Sequence, residues 1–230
     1  MQPADTAKRE AGYRAAEMVT DGMVVGLGTG STVLYAMEKI SEKISGGIKI
    51  TGVPTSYQAA IRARALNIPL SSLDDYPVID LCIDGADQVD PALRLIKGRG
   101  AAQTREKCVA AAAGTVVIVV DESKITGKLD AVVPVEVIPF AVMPVMNEIR
   151  NAGGMPHLRE GVKKDGPVIT DNGNFILDAA FGPIADPGFL ETFLNCIPGV
   201  VTCGLFCGFT AKTMVIVGGE RECRVLPRHR

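Results

Sequence analysis

Two glycine-rich turns, a pair of aspartates three apart and one glutamate on a helix carry most of the chemistry in this chain. Gly28-Thr29-Gly30-Ser31-Thr32 lies between an apolar run and an amphipathic one. Its glycines let backbone N–H groups face one concavity, the helix that follows adds partial positive charge, and the hydroxyls donate. That suits a phosphate or a carboxylate, and a tight strand-to-helix turn capped by Ser31 or Thr32 accounts for the same residues equally well. Asp84-Gly85-Ala86-Asp87 follows another apolar run. Its carboxylates either face one cleft together or cap backbone N–H groups in a turn. Ca²⁺ or Mg²⁺ is a further thought for Asp-Gly-x-Asp, but no Glu stands at the twelfth position of an EF-hand loop. Lys97-Gly98-Arg99-Gly100 opens a second helix, with Glu106 about a turn and a half along it. A lone helix Glu is ordinarily a solvated surface residue, and Arg105 and Lys107 beside it fit that picture. Lys124, in Asp121-Glu122-Ser123-Lys124, is by itself an ordinary surface lysine. Together these groups suit a phosphorylated small polar substrate and proton transfer without a cofactor.

Other chemistries lack their residues. A G-x-G-x-x-G fingerprint begun at Gly26 needs glycine at Ser31, and one begun at Gly28 needs it at Val33. The second strand ends Thr51-Gly52-Val53-Pro54, without the acid that holds a ribose, so a nicotinamide site is disfavoured. The P-loop Gly-Lys-Ser/Thr is absent. The only histidines are His157 and His229, which weakens a Ser-His-Asp reading and, beside Cys203 and Cys207, a zinc site. The six cysteines sit mostly in apolar runs and read as free buried thiols. A net charge of -2 and 5% aromatics with no Trp argue against a nucleic-acid binder. The longest apolar stretch, Val109 to Val120, is interrupted by Gly114 and Thr115 and is too short to span a bilayer. The N-terminus has no signal-peptide core, so a cytoplasmic protein that leaves membranes alone is expected.

The elements that must hold these groups follow from hydrophobic patterning. A helix over 7–20 is stopped by Asp21-Gly22. Strands are expected at 23–28, 48–53, 78–84 and 115–121. Helices follow the first two strands, the second of them over 56–66, and another covers 101–113 with Gly114 as its stop. Continuously apolar strands alternating with helices mean a doubly wound, mostly parallel, Rossmann-like sheet with ligands at its C-terminal edge. The polar punctuation GTGST, PTS, DGADQVD and DESK falls at that edge. Beyond residue 131 the order becomes strand 132–139, helix 141–152, strand at MPHLRE, strand pieces around Asp171-Asn172-Gly173, helix 186–196 and strand 199–206. That β-α-β-β-α-β order is the ferredoxin-like α+β unit. The expected domains are therefore a Rossmann-like one, 1–131 plus 207–230, and a smaller one, 132–206. The smaller one has no catalytic cluster and is the expected oligomer interface, with the apolar segments around Phe181–Phe193.

The segments VVGLGTGST, GVPTS, DGADQVD, KGRGAAQTREK, DESK, VPVEVIPFA, VITDNGNFILD and IPGVVTCGLF, in that order, resemble the type A ribose-5-phosphate isomerase family. DGAD followed by KGxGAAxTREK at this spacing is the specific part. The resemblance implies interconversion of D-ribose 5-phosphate and D-ribulose 5-phosphate, a step of pentose phosphate metabolism, in a homodimer or homotetramer. It implies Glu106 as general base, with Asp84, Asp87 and Lys97 also catalytic. Substrate contacts are implied for Thr29, Gly30, Ser31, Thr32, Asp84, Gly85, Ala86, Asp87, Lys97, Gly98, Arg99, Gly100 and Lys124. Lys8, by its offset from Gly12, matches an N-terminal phosphate-binding lysine. No metal or other cofactor is implied.

Two positions depart from the family pattern. Arg99 replaces the middle glycine of KGGG. If φ is positive there, a side chain costs on the order of 1–2 kcal/mol; otherwise Arg99 points outward or adds a phosphate contact. Gln88 stands where DGAD is usually followed by Glu, removing one negative charge. The rival readings are a sugar-phosphate sensor of the same fold without turnover, which would not need Glu106, and a nucleotide-dependent oxidoreductase.

Overall fold

The apolar runs of the first half become the inner strands of a parallel sheet. The computed structural model describes residues 3–219 and 222–226. Along the chain run α1 (Pro3–Ala16), β1 (Val24–Leu27), α2 (Ser31–Ser45), β2 (Thr51–Pro54), α3 (Tyr57–Ala65) and β3 (Ile79–Asp84). Then come β4 (Gln88–Val89), β5 (Leu95–Ile96), α4 (Gln103–Ala112), β6 (Ala113–Asp121), β7 (Val133–Val137), α5 (Val142–Asn151) and β8 (Met155–Leu158). The last are β9 (Phe175–Ala180), α6 (Pro187–Asn195), β10 (Val200–Cys203), β11 (Leu205–Phe206), β12 (Thr213–Gly218) and β13 (Arg224–Leu226). Among the described residues no helix is long and apolar enough to cross a membrane.

The chain falls into two units. One comprises the stretch up to Ala86, Arg105–Ile125 and the stretch from Phe209; the other comprises Asp87–Thr104 and Thr126–Gly208. In the first unit the sheet order is β13-β12-β6-β3-β1-β2, parallel except for β13. Val25, Leu27, Leu81, Ile83, Val117 and Val119 pack with Ala11, Ala15, Met37, Ile40, Ala59 and Ala63 of α1, α2 and α3. Gly26 lies on β1 where a Cβ would crowd Val109 of α4 and Cys82 of β3, so α4 sits close against the strands. The helix expected over 7–20 starts earlier and stops at Ala16, tightening through Met18 N–H to Ala15 O (3.1 Å) and Val19 N–H to Ala16 O (3.1 Å). Gly114 does not stop α4: the helix ends at Ala112 and Gly114 lies inside β6, whose pairing with β3 starts at Ala113.

In the second unit the expected β-α-β-β-α-β order is present, and β10-β7-β9-β8 form a wholly antiparallel sheet. Its core is Val133, Val135, Val137, Val145, Ile149, Leu177, Leu194 and neighbours. The expected strand 199–206 breaks at Gly204 into β10, on β7, and β11, on β5. The β11-β5-β4 sheet draws Asp87–Thr104 into this unit, whereas the sequence placed that stretch with the Rossmann-like part. Two-residue strands leave no periodicity to read; their long-range pairing decides them. The thiols also differ from expectation. Cys82 and Cys203 are buried, but Cys108 and Cys196 are exposed, because apolar neighbours in sequence do not fix which face of a helix or turn a residue takes. Burial, with the Glu191 carboxylate nearby, pushes the Cys207 thiol up to about 12.

Strand β7 is buried along its whole length, Glu136 included. The Glu136 carboxylate accepts from Thr170 Oγ1 (2.8 Å), Asn172 Nδ2 (3.0 Å), Asn174 Nδ2 (2.8 Å) and Thr104 Oγ1. All four donors are neutral, and three come from the tight turn at Gly173, closed by Thr170 N–H to Asn174 O (2.8 Å). Glu136→Ala removes the shared acceptor and is expected to destabilise the fold by about 3 kcal/mol or more, with Glu136→Gln losing less. Urea unfolding reads this directly; an unchanged midpoint for the alanine variant contradicts the role of the carboxylate.

Candidate functional site

The register of the parallel sheet brings three strand ends level. Leu27 pairs with Pro54 on one side and with Ile83 on the other, so Gly28, Thr55 and Asp84 emerge side by side. Thr29 Oγ1 lies 2.9 Å from Thr55 Oγ1 and 2.7 Å from Ser56 Oγ. Ser56 in turn caps α3, accepting from Ala59 N–H (3.0 Å). Thr29 N–H (3.2 Å) and Gly85 N–H (2.8 Å) both donate to Asp84 Oδ1. Asp84 is only 2% exposed, and Gly28 has no side chain where a Cβ would overlap that carboxylate. Thr55 and Ser56 belong to the PTS punctuation, but their bonds to Thr29 needed the strand register to become visible.

Gly30, at φ 127, occupies the N-cap of α2, and no side chain caps the helix. The alternative of Ser31 or Thr32 as the cap is therefore not what the fold uses. A depression of about 180 Å³ opens here, lined by Gly28, Gly30 and Ser31 and, from α3, by Gln58 and Arg62. Arg62 is a cation that sequence patterning left among ordinary helix residues. Thr32 lies in the first turn of α2.

Glu106 sits in the first turn of α4, where negative charge is favoured by the helix dipole. It is 4% exposed and shares its face with the buried Val109 and Ala110, as residues three and four apart do. The solvated-surface reading thus does not describe it. Its neighbour Arg105 instead stacks over the Tyr57 ring, 4.8 Å from the centroid. Lys124 lies on a short 3₁₀ turn after β6, held by Ser123 N–H to Asp121 Oδ1 (2.9 Å) and by the Glu122–Arg224 pair (2.9 Å). Arg224 holds the Glu122 carboxyl below its usual range. Lys8 is on α1. Among the described residues no hydrogen bond or ion pair joins Lys8 or Lys124 to either glycine-rich turn.

The second unit carries the other turn, and the unit boundary divides the DGAD motif after Ala86. Asp87 donates its N–H to Ile96 O (2.8 Å) and accepts Arg99 N–H at Oδ2 (3.0 Å). Lys97 is 3% exposed, its N–H bonded to Gly204 O (2.8 Å) and its Nζ over the Phe206 ring. Positive φ falls on Gly98 (101) and on Ala101 (60), which closes the turn onto Gly98 O, and not on Arg99, and Gly98 leaves room for Gln103. Arg99 therefore carries no left-handed strain; it points outward, with Nε 3.7 Å from Asp87 Oδ1. Gly100 is exposed beside it. Gln88 uses both ends of its amide: Oε1 accepts from Asp130 N–H (2.9 Å) and Ala131 N–H (2.9 Å), and Nε2 donates to Asp130 Oδ1 (2.6 Å). A Glu there would set two carboxylates against each other.

The sequence model of the family described as ribose 5-phosphate isomerase A (phosphoriboisomerase A) matches residues 51–222. The chain belongs to that family. A ribose-5-phosphate isomerase A from Methanoregula boonei is 60% identical over 220 residues, covering 96% of this chain and 93% of the relative. The structure of ribose 5-phosphate isomerase A from Methanocaldococcus jannaschii has a TM-score of 0.91 at 41% identity, covering 96% of this chain and 97% of that one. A D-ribose-5-phosphate isomerase in complex with phospho-erythronic acid has a TM-score of 0.94 at 47% identity, covering 99% of this chain and 100% of that one. The family fold is thus the α/β architecture described above, a mostly parallel sheet with a smaller antiparallel one.

Gly28→Ala forces the Asp84 carboxylate off its two amides. It is expected to destabilise the chain by about 1–3 kcal/mol. A melting temperature equal to that of the parent protein contradicts the close approach.

Proposed function

We propose that this isomerase interconverts D-ribose 5-phosphate and D-ribulose 5-phosphate through a cis-enediolate, with Glu106 carrying the proton. The observation that supports this most is the burial of the Glu106 carboxylate in the first turn of α4, where an idle glutamate would face water. In the open-chain aldose the base takes the hydrogen from C2. The C–H electrons form a C1=C2 bond and the carbonyl pair moves onto O1. The proton on O2 passes to O1, Glu106 returns its proton to C1, and C2 becomes the carbonyl carbon. One carboxylate serves both carbons because they are adjacent.

The oxyanion needs preorganised donors, and Lys97 with the Gly100 N–H of its turn is assigned to it. Asp84, rigid on two amides, is the candidate for moving protons at O1 or the ring oxygen O4 as the ring opens. Asp87 orients the Lys97 turn by binding Arg99 N–H. The phosphate is assigned to Thr29, Gly30, Ser31 and Thr32, with Lys8 and Lys124 as further cations, so that binding remote from the chemistry holds the reacting carbons in place. Gly85, Ala86, Gly98, Arg99 and Gly100 are the backbone lining of this assignment. Moving a proton between neighbouring carbons calls for no metal or nicotinamide.

Deuterium exchange from solvent into ribose 5-phosphate, with net ketose formation, is expected in the presence of EDTA and to fall at least about 100-fold in Glu106→Gln. Full activity in that variant refutes the base assignment, and a strict metal requirement refutes the mechanism. Binding of the sugar phosphate without turnover in the parent protein would make the chain a sensor. We also read the chain as a homodimer or homotetramer through its second unit, where Phe140 and Phe189 are exposed. Sedimentation of a monomer at micromolar concentration contradicts this.

A further inference from the structure

Arg159 follows β8 directly, and its N–H bonds to Ile176 O of β9 (2.9 Å), so its backbone is fixed by the antiparallel sheet. Its guanidinium forks onto Asp178, with Nε 2.8 Å from Oδ2 and Nη2 2.5 Å from Oδ1. The third nitrogen is spent on main chain. Nη1 donates to Arg99 O (2.9 Å) and Gly98 O (3.2 Å), the two middle carbonyls of the Lys97–Gly100 turn. The Arg159 side chain is largely buried. An ion pair with Asp178 alone would not need that third bond.

A trans peptide is planar, and its C=O and the next N–H point in opposite directions. With the carbonyls of Gly98 and Arg99 turned to Arg159, the N–H groups of Arg99 and Gly100 are turned away from it. Arg99 N–H meets Asp87 Oδ2 on that opposite side. Among the described residues Gly100 N–H has no acceptor. The positive φ of Gly98 gives the turn freedom to flip its peptide planes. A flip would aim carbonyl oxygens where an anion is to be held.

We propose that Arg159, oriented by Asp178, is a positioning residue: by holding Arg99 O it sets the peptide plane after Arg99 so that the turn presents Gly100 N–H, beside Lys97, to the enediolate oxygen. The proposal rests on the reading of this turn as part of the substrate site. A donor that acts on charge developed in the transition state changes kcat more than KM.

The test compares Arg159→Met, Arg159→Lys, Asp178→Asn and Lys97→Ala by steady-state kinetics with ribose 5-phosphate and by thermal unfolding. Arg159→Met is expected to lower kcat roughly tenfold or more with KM changed by less than about threefold. Affinity for a phosphorylated hydroxamate that mimics the enediolate should fall in step with kcat. Arg159→Lys, which keeps the charge but not the fork, should restore the melting temperature more fully than kcat. Asp178→Asn should lower kcat less than Arg159→Met does, and it answers the question if the methionine variant does not fold. A lower melting temperature with unchanged kcat per folded molecule makes Arg159 purely structural and overturns the proposal, as does a rise in KM alone. Should Lys97→Ala keep full activity, the substrate reading of the turn fails. If Lys97→Ala is impaired and the Arg159 and Asp178 variants are not, only the role given to Arg159 fails.

Discussion

The Thr29 amide hydrogen bond to an Asp84 oxygen that Gly85 N–H also holds in place ties the ends of β1 and β3 together. It exists because the parallel register sets Gly28 opposite Asp84, and because Gly28 leaves the carboxylate its space. From that anchor the rest of the first turn follows. Thr29, held by its N–H, turns its hydroxyl to Thr55 and Ser56, and Ser56 starts α3. The strand ends thus form one cross-linked edge in place of three independent loops, which is how preorganised polar groups survive burial.

The second unit uses the same economy of donors in another form. Glu136 is a charge position in a strand buried along its whole length, and neutral hydroxyls and amides from the 170–174 turn and from Thr104 satisfy it. Arg159 and Asp178 fix the main chain of the Lys97 turn, while Gly204 and Asp87 hold it from other sides. Each limits the ways in which a short, glycine-containing segment can relax.

Long elements were legible because hydrophobic period and burial agree in them. The strands around Val25, Ile83 and Val117 read as a parallel sheet before any pairing was known, and the β-α-β-β-α-β order after residue 131 named the second architecture. Short pairings were not legible. Leu95–Ile96 and Leu205–Phe206 are strands only because they find each other, and that pairing moves Asp87–Thr104 to the other unit. In the candidate site, the family resemblance carried by DGAD and KGRGAAQTREK pointed to Glu106, Asp84 and Lys97, whereas the residue types alone left Glu106 an ordinary surface glutamate. The side chain of Glu106 turning inward was not readable between Arg105 and Lys107, since a ten-residue helix with so even a mixture of residues shows no strong stripe. Arg159 and Glu136 are silent in the sequence for a related reason: the partners of their side chains lie from 19 to 61 residues away, and no local pattern marks them.

Arg99 bears on how this turn tolerates change. The left-handed backbone of the turn falls on Gly98 and Ala101, so the Arg99 position accepts a side chain without distortion. That side chain is 84% exposed and paired only loosely with Asp87. The electrostatic field at the mouth of the turn is therefore adjustable by surface substitution and by ionic strength, while the scaffold underneath stays as it is.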